Sequence, residues 1–346
     1  MKLLISSDWH LDHVTLGVSR FEELRNAVQE TIDTAIREKV DAYVFTGDLC
    51  DPDSGTSVFR CVELAQRTAN VLHKNGIPSF WLAGNHDVIE DGRGSSTLSP
   101  LREVEGATVI EEPMLIKGLA FLPFTSPSRG YDPETFLRTC GATPAVIFAH
   151  LNVPGMHPGE ETTEMPRGRE VVFPLDFAKK ERPMTMLVNG HYHRAAKTPV
   201  HIPGSLARLT FGEEAHDPGF AILDAGTRAW KHHPVNARKL FTDASDSQTE
   251  LNPSKGDFVR LRQNGMSDAA CADMLAHYRA NGIACKLLPS RKAEPLPQEG
   301  KLKVEGAEVK SAREVVLELA NHTRAPEGDR KELTAYLEDA LTGAGL

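Results

Sequence analysis

Apolar residues along this chain fall into two kinds of pattern, and their alternation predicts the layout of the first two hundred residues. Short continuous runs occur at Leu3–Ile5, Ala42–Phe45, Phe80–Leu82, Val146–Phe148 and Met186–Val188. Runs of this length, rich in β-formers, fit strands buried on both faces, as in a sheet covered by helices. Between the first two runs, Phe21, Leu24, Val28, Ile32 and Ile36 recur at three- and four-residue spacing, with Glu and Arg opposite. That is the stripe of an amphipathic helix. Val62, Ala65, Ala69 and Leu72 repeat it between the second and third runs, and Gly76 followed by Pro78 ends it. Strand, helix, strand, helix, strand predicts a βαβαβ layout and a mainly parallel sheet.

Further strand-like runs follow Pro203-Gly204-Ser205, among them Phe220–Leu223, and the first domain is expected to span residues 1–242. Polar residues around Ser245-Asp246-Ser247 and Asn252-Pro253-Ser254 read as a connection. A small α+β unit is expected over 255–290, with Phe258–Arg262 as an alternating strand and Ser267 capping a helix that runs to Gly282. A linker over 291–310 then leads to two helices within 311–346. Ser311-Ala312-Arg313-Glu314 is a capping box, and Asp329-Arg330-Lys331-Glu332 has the same spacing. Val315 and Leu319 on one helix, and Leu333 and Leu337 on the other, form apolar stripes. Such a pair, with little core beside it, reads either as a docking element or as an ordinary packed hairpin.

The polar residues that end the five runs change the picture. The first run leads into Asp8-Trp9-His10, the second into Gly47-Asp48, and the third into Gly84-Asn85-His86-Asp87. The fourth leads into His150 and the fifth into Gly190-His191-Tyr192-His193. Open α/β sheets bind their ligands at the carboxyl ends of strands, which is where every one of these residues lies. Any single Asp-x-His or Gly-Asp is also what a turn carries; five in series are hard to explain as turns.

Two cations about 3.5–4 Å apart can clamp both oxygens of an in-line displacement. They need a bridging carboxylate, hard oxygen donors, and neutral imidazoles that accept Mn²⁺, Fe²⁺ or Zn²⁺. Asp8, His10, Asp48, Asn85, His150, His191 and His193 supply that set, with Asp48 the natural bridge after Gly47. His86 is then placed to give a proton to the leaving oxygen, with Asp87 orienting its ring.

Composition and charge narrow the setting more than the chemistry. The 346 residues are 40% hydrophobic and 25% charged, an ordinary globular mix. No apolar run approaches the roughly eighteen residues of a membrane span, and Asp8 and His10 interrupt the N-terminal run too early for a signal peptide. Five scattered cysteines without a CxxC pair suggest reduced thiols and a cytoplasmic protein. The net charge of −9 arises entirely within residues 1–250, since residues 251–346 are balanced. An acidic domain must neutralise itself locally, with cations and basic patches, before a polyanion can approach.

The motif series resembles the calcineurin-like metallophosphoesterase superfamily, and is most similar to its SbcD-type DNA repair nucleases. Asp8-Trp9-His10, the Pro203-Gly204-Ser205 run followed by Arg208 and Phe211-Gly212-Glu213-Glu214, and the small C-terminal unit favour that branch. The resemblance implies an α/β sandwich of two sheets flanked by helices, a small capping domain that touches DNA, and a C-terminal helical pair. It implies two divalent cations, Mn²⁺ foremost, one on Asp8, His10, Asp48 and His193, the other on Asp48, Asn85, His150 and His191. It further implies His86 as the catalytic histidine, DNA as substrate, an SbcC-type ATPase as partner, and a homodimer.

Arg167, Arg169, Lys179, Lys180, Arg182, Arg194, Lys197 and Arg208 are candidate phosphate contacts, solvated charges being the plainer reading. His13, standing where the family turns on glycine, either contacts the site or lies in solvent. A small-molecule phosphodiesterase or phosphatase of the same fold is the alternative function. A non-catalytic scaffold would have no use for His86 beside the ligands.

Overall fold

The computed structural model describes residues 1–51, 58–89, 96–124, 131–156, 171–244, 251–263 and 265–288. All of them belong to one unit, Met1–Ser290. The helical pair expected within 311–346, with Val315, Leu319, Leu333 and Leu337, lies outside the described residues, as does the 291–310 linker.

The five apolar runs become strands, divided between two sheets. β1 (Lys2–Ser6) is followed by a short hairpin, β2 (Val14–Thr15) and β3 (Val18–Ser19), then by α1 (Phe21–Arg37) and β4 (Ala42–Phe45). α2 (Val58–Lys74), β5 (Ser79–Leu82) and β6 (Ala107–Ile110) continue the same parallel layer. β7 (Met114–Ile116), β8 (Leu119–Leu122), α3 (Pro133–Thr139), β9 (Val146–Ala149), α4 (Leu175–Glu181) and β10 (Met186–Asn189) build the second layer. β11 (Gly219–Asp224) and β12 (Ala229–Pro234) return antiparallel to the edge of the first sheet. The orders are β12-β11-β1-β4-β5-β6 and β10-β9-β8-β7.

Strand alternation explains why the runs are apolar throughout. Successive side chains point to opposite faces. Leu3, Ile5, Val44, Phe80 and Leu82 therefore meet Phe121, Val146, Phe148, Met186 and Val188 in a core between the sheets. Leu4, Tyr43, Phe45 and Trp81 face outward against Leu24, Val28 and Ile32 of α1 and Ala65, Ala69 and Leu72 of α2. A helix-covered sheet is thus only half of the arrangement, because the inner face is covered by the second sheet. Parallel pairing of β1 with β4, β4 with β5, and β10 with β9 makes all five motif-bearing loops leave from carboxyl ends.

A three-stranded parallel sheet completes the unit: β13 (Leu240–Ala244), β14 (Phe258–Arg262) and β15 (Ala284–Leu288), in that order. Helix α5 (Asp268–Ala280) packs on it through Cys271, Leu275 and Tyr278. Ser267 accepts from the Ala270 N–H at its start. The boundary expected at 242 falls inside β13, whose partner is the small sheet.

This sheet is joined to the first layer through Phe258. The guanidinium groups of Arg20 and Arg238 each lie 4.8 Å from its ring, and Glu23 accepts from both arginines at 2.7 and 2.6 Å.

Candidate metal centre

The loops that follow the strands turn sharply, and four candidate ligands carry the turn. Asp8 (φ 50°), His10 (φ 40°), Asp48 (φ 62°) and His191 (φ 72°) occupy the left-handed region, which costs a non-glycine residue on the order of 1–2 kcal/mol. Cross-loop bonds hold them there. The Asp8 N–H donates to Gly47 O at 2.9 Å, His10 N–H to Asp48 O at 3.1 Å, and Leu11 N–H to Leu49 O at 3.0 Å. Strain of this sort persists only where the surroundings over-determine it, and it gathers at functional sites. Gly47 (φ 107°) and Gly84 allow the loops to close, since a Cβ on either would run into the His150 ring.

Two groups of ligand atoms result. Asp8, His10 and His193 form one, and Asp48, His150 and His191 the other, the ligand atoms of each lying within 4.8 Å of one another. Asp48 Oδ2 faces both, 3.2 Å from His150 Nε2 and 3.7 Å from His10 Nε2. Asn85 Oδ1 joins the second group, 3.0 Å from His150 Nε2 and 2.9 Å from His191 Nδ1. Three imidazoles are anchored through their other nitrogen. His150 Nδ1 lies 2.6 Å from Thr46 O, His193 Nδ1 2.8 Å from Glu213 Oε1, and His191 Nε2 3.1 Å from Asn152 Oδ1. Such outer partners fix which nitrogen faces a cation.

The donor set fits divalent metal. Asp8 Oδ2 and His10 Nε2 are buried without a hydrogen-bond partner, although buried polar atoms are nearly always satisfied. Carboxylate and amide oxygens mixed with imidazoles suit Mn²⁺, Fe²⁺ or Zn²⁺.

Electrostatics agree with this fit. Burial raises the Asp8 carboxyl above its usual range. Burial opposes the Asp48 carboxylate too, but His150, His86 and His10 outweigh it and hold that group well below the usual range. Burial and then His193 push His10 well below an ordinary imidazole, and burial and then His150 bring His191 down to about 3. Both rings are thereby neutral, the form that ligates. For His150 and His193 burial is outweighed by Asp48 and by Glu213 respectively, and both rise to about 9.

His86 stands half-buried beside the ligands, its ring 5.1 Å from that of His10. Its backbone N–H donates to Asp48 Oδ1 at 3.0 Å, and its Nδ1 lies 3.5 Å from Asp51 Oδ1. Burial disfavours its charge, yet Asp51 and Asp48 raise it to about 9.

Asp87 does not orient this ring. Its carboxylate is fully buried and accepts from the backbone N–H groups of Gly84 (2.8 Å), Asp48 (2.8 Å) and Leu49 (3.0 Å) and from the Thr97 hydroxyl (2.7 Å). It is a clamp between two strand-end loops, and the ring's carboxylate neighbour is Asp51.

The basic candidates separate. Arg194 and Lys197 are exposed on the loop after His193, and Lys179 and Lys180 are exposed on α4. Arg208 turns into the fold instead, donating to the carbonyls of Ala237 (3.4 Å) and Arg238 (3.5 Å). Arg182 donates to Thr143 and to Leu137 O. Arg167 and Arg169 lie outside the described residues. His13 does not lie in solvent; its Nε2 is 2.9 Å from Leu209 O.

Sequence reasoning assigned no role to Glu213, Asp51 or Asn152. Glu213 and Asp51 stand inside motifs it quoted, yet nothing in their spacing links either to the histidine it serves.

Residues 1–195 match the calcineurin-like phosphoesterase family, and the chain belongs to that family, whose members work on phosphate esters with divalent metals. It is similar to SbcD of the SbcCD nuclease from Escherichia coli K12, 30% identical over 148 residues, which cover 42% of this chain and 32% of that protein. The chain thus spans about a third of the length of that relative. SbcD of the SbcCD nuclease from Rhodobacter capsulatus is 25% identical over 285 residues, covering 68% of this chain and 69% of that one. Among solved structures, the Escherichia coli phosphoesterase Yfce aligns over 66% of this chain and 96% of its own, with 14% identity and a TM-score of 0.31. Among the described residues no helix is long and apolar enough to cross a membrane.

Proposed function

We propose that this chain is a two-metal-dependent DNA nuclease, working with Mn²⁺ and an SbcC-type ATPase in double-strand-break processing, recombination or replication. The observation that carries the reading is Asp48, whose Oδ2 faces His150 of one ligand group and His10 of the other. A carboxylate so placed can join two cations. Asp8, His10, Asp48 and His193 would hold one, and Asp48, Asn85, His150 and His191 the other. When bound, the pair would supply Lewis-acid stabilisation of the phosphate and a nucleophile at neutral pH.

The rest is work for side chains of this protein. His86, half-buried beside the ligands, is placed to protonate the leaving oxygen, with Asp51 steadying its ring. Asp87 keeps the Asp48 and Gly84 loops in register. Arg194 and Lys197 offer positive charge to a polyphosphate backbone beside an otherwise acidic domain. Similarity to the two SbcD proteins supports DNA as substrate and an ATPase as partner.

The test is an assay on linear double- and single-stranded DNA with Mn²⁺, with and without chelator. His86→Ala is the control, and bis-p-nitrophenyl phosphate is run in parallel. Metal-dependent DNA degradation lost in the variant is the expected result. Hydrolysis of the small diester with DNA intact, even with the ATPase present, would move the function to small phosphodiesters.

A further inference from the structure

We propose that Glu213 is a positioning residue for the Asp8–His10–His193 group, fixing His193 so that Nε2 rather than Nδ1 faces the cation. The inference rests on the dimetal reading of the site. Glu213 Oε1 lies 2.8 Å from His193 Nδ1, and Oε2 accepts the Leu209 N–H at 2.8 Å. The carboxylate is buried and holds its pKa at about 2, because His193 outweighs the burial that opposes its charge. A carboxylate here accepts only, so Nδ1 must carry the proton and Nε2 is left as a free lone pair.

The bond is also well braced. Thr210 Oγ1 donates to Oε1 at 3.2 Å, and the turn Phe211–Glu213 is held against the small sheet. The Arg260 guanidinium lies 4.7 Å from the Phe211 ring, and the neighbouring Glu214 accepts from Thr242 Oγ1. None of this touches Asp48, His150 or His191. The two ligand groups therefore differ in what supports them, and loss of Glu213 must act on one alone.

Glu213→Gln separates positioning from mere packing. A carboxamide presents one oxygen, so if it serves the Leu209 N–H, its NH₂ faces His193 Nδ1. That arrangement favours the imidazole tautomer with hydrogen on Nε2, which cannot ligate.

The experiment titrates the full-length protein with Mn²⁺ alone, followed by calorimetry and by electron paramagnetic resonance. Wild type should take up two ions and give the spectrum of a spin-coupled pair. Glu213→Gln should bind one ion as before and the other about 10–100-fold more weakly. At limiting Mn²⁺ it should give an isolated-ion spectrum, with excess Mn²⁺ restoring both the coupled signal and hydrolysis. Glu214→Gln, in the same turn but turned away from His193, should leave both ions unchanged. If Glu213→Gln does not fold, Glu213→Asp shortens the reach to His193 and should give the same selective loss.

Equal affinities in variant and wild type overturn the inference. So does parallel weakening of both ions together with a lowered melting temperature, the mark of a packing role. A wild-type protein that binds no pair overturns the dimetal reading and this inference with it.

Discussion

His86 and Asp87 are neighbours with opposite duties, and substitution should separate them. His86 reaches the ligand cluster with a half-buried ring whose removal orphans nothing in the core. His86→Ala should therefore lower kcat by about 10²–10⁴, while the melting temperature and bound metal stay as in wild type. Asp87→Ala leaves three buried backbone N–H groups and the Thr97 hydroxyl without their acceptor. Each orphaned donor costs about 1–3 kcal/mol, so the variant should lose at least about 3 kcal/mol of stability and bind metal poorly because Asp48 is no longer held. Thermal melts beside metal analysis check both. An Asp87→Ala protein as stable as wild type would refute the clamp. The sequence placed both residues at the site but could not tell them apart, because adjacency says nothing about which way a carboxylate points after a left-handed turn.

The joint between α1 and the small sheet offers a prediction at the scale of elements. Burial would raise the Glu23 carboxyl, but Arg20 and Arg238 outweigh it and hold it below its ordinary value of 4.5. A depressed carboxylate stabilises the fold above its unfolded pKa and loses that contribution as pH falls through the folded value. Glu23→Gln leaves the buried Arg20 short of its counter-charge and should cost about 3 kcal/mol at pH 7. Urea unfolding over a pH series should find this gap constant between pH 7 and 5 and shrinking below 4. A gap that ignores pH would mean the ion pair is not its source. This joint also marks what the sequence hid. The five strands, α1 and α2 were legible because each is a local pattern of burial, and the ligands were legible because they end those strands. The division of the strands between two sheets, the recruitment of Leu240–Ala244 to the small sheet, and the meeting of Glu213 with His193 across twenty residues all depend on long-range pairing, which periodicity does not record.

For the whole molecule, charge and layout pull in different directions. The acidic excess lies wholly within residues 1–250, so the domain that bears the ligands repels the polymer it is proposed to cut. Bound cations, together with Arg194 and Lys197, offset that repulsion only at the mouth of the site. A partner that holds DNA over the site would supply the rest, and the capped, striped segment at 311–346 is where the sequence places its dock. Deleting 311–346 should therefore leave Mn²⁺-dependent hydrolysis of bis-p-nitrophenyl phosphate unchanged, because every ligand and His86 lies within Met1–Ser290. It should abolish co-purification with an SbcC-type ATPase and, with it, any ATP-stimulated cutting of double-stranded DNA. Replacing Leu333 and Leu337 together by Glu should reproduce the loss without shortening the chain, since a charged stripe cannot enter an apolar groove. Unchanged pull-down of the ATPase by both variants would transfer the docking role to the nuclease domain itself. The acidic surface would then have to be met by a basic face on the partner, and binding would weaken steeply as salt is raised.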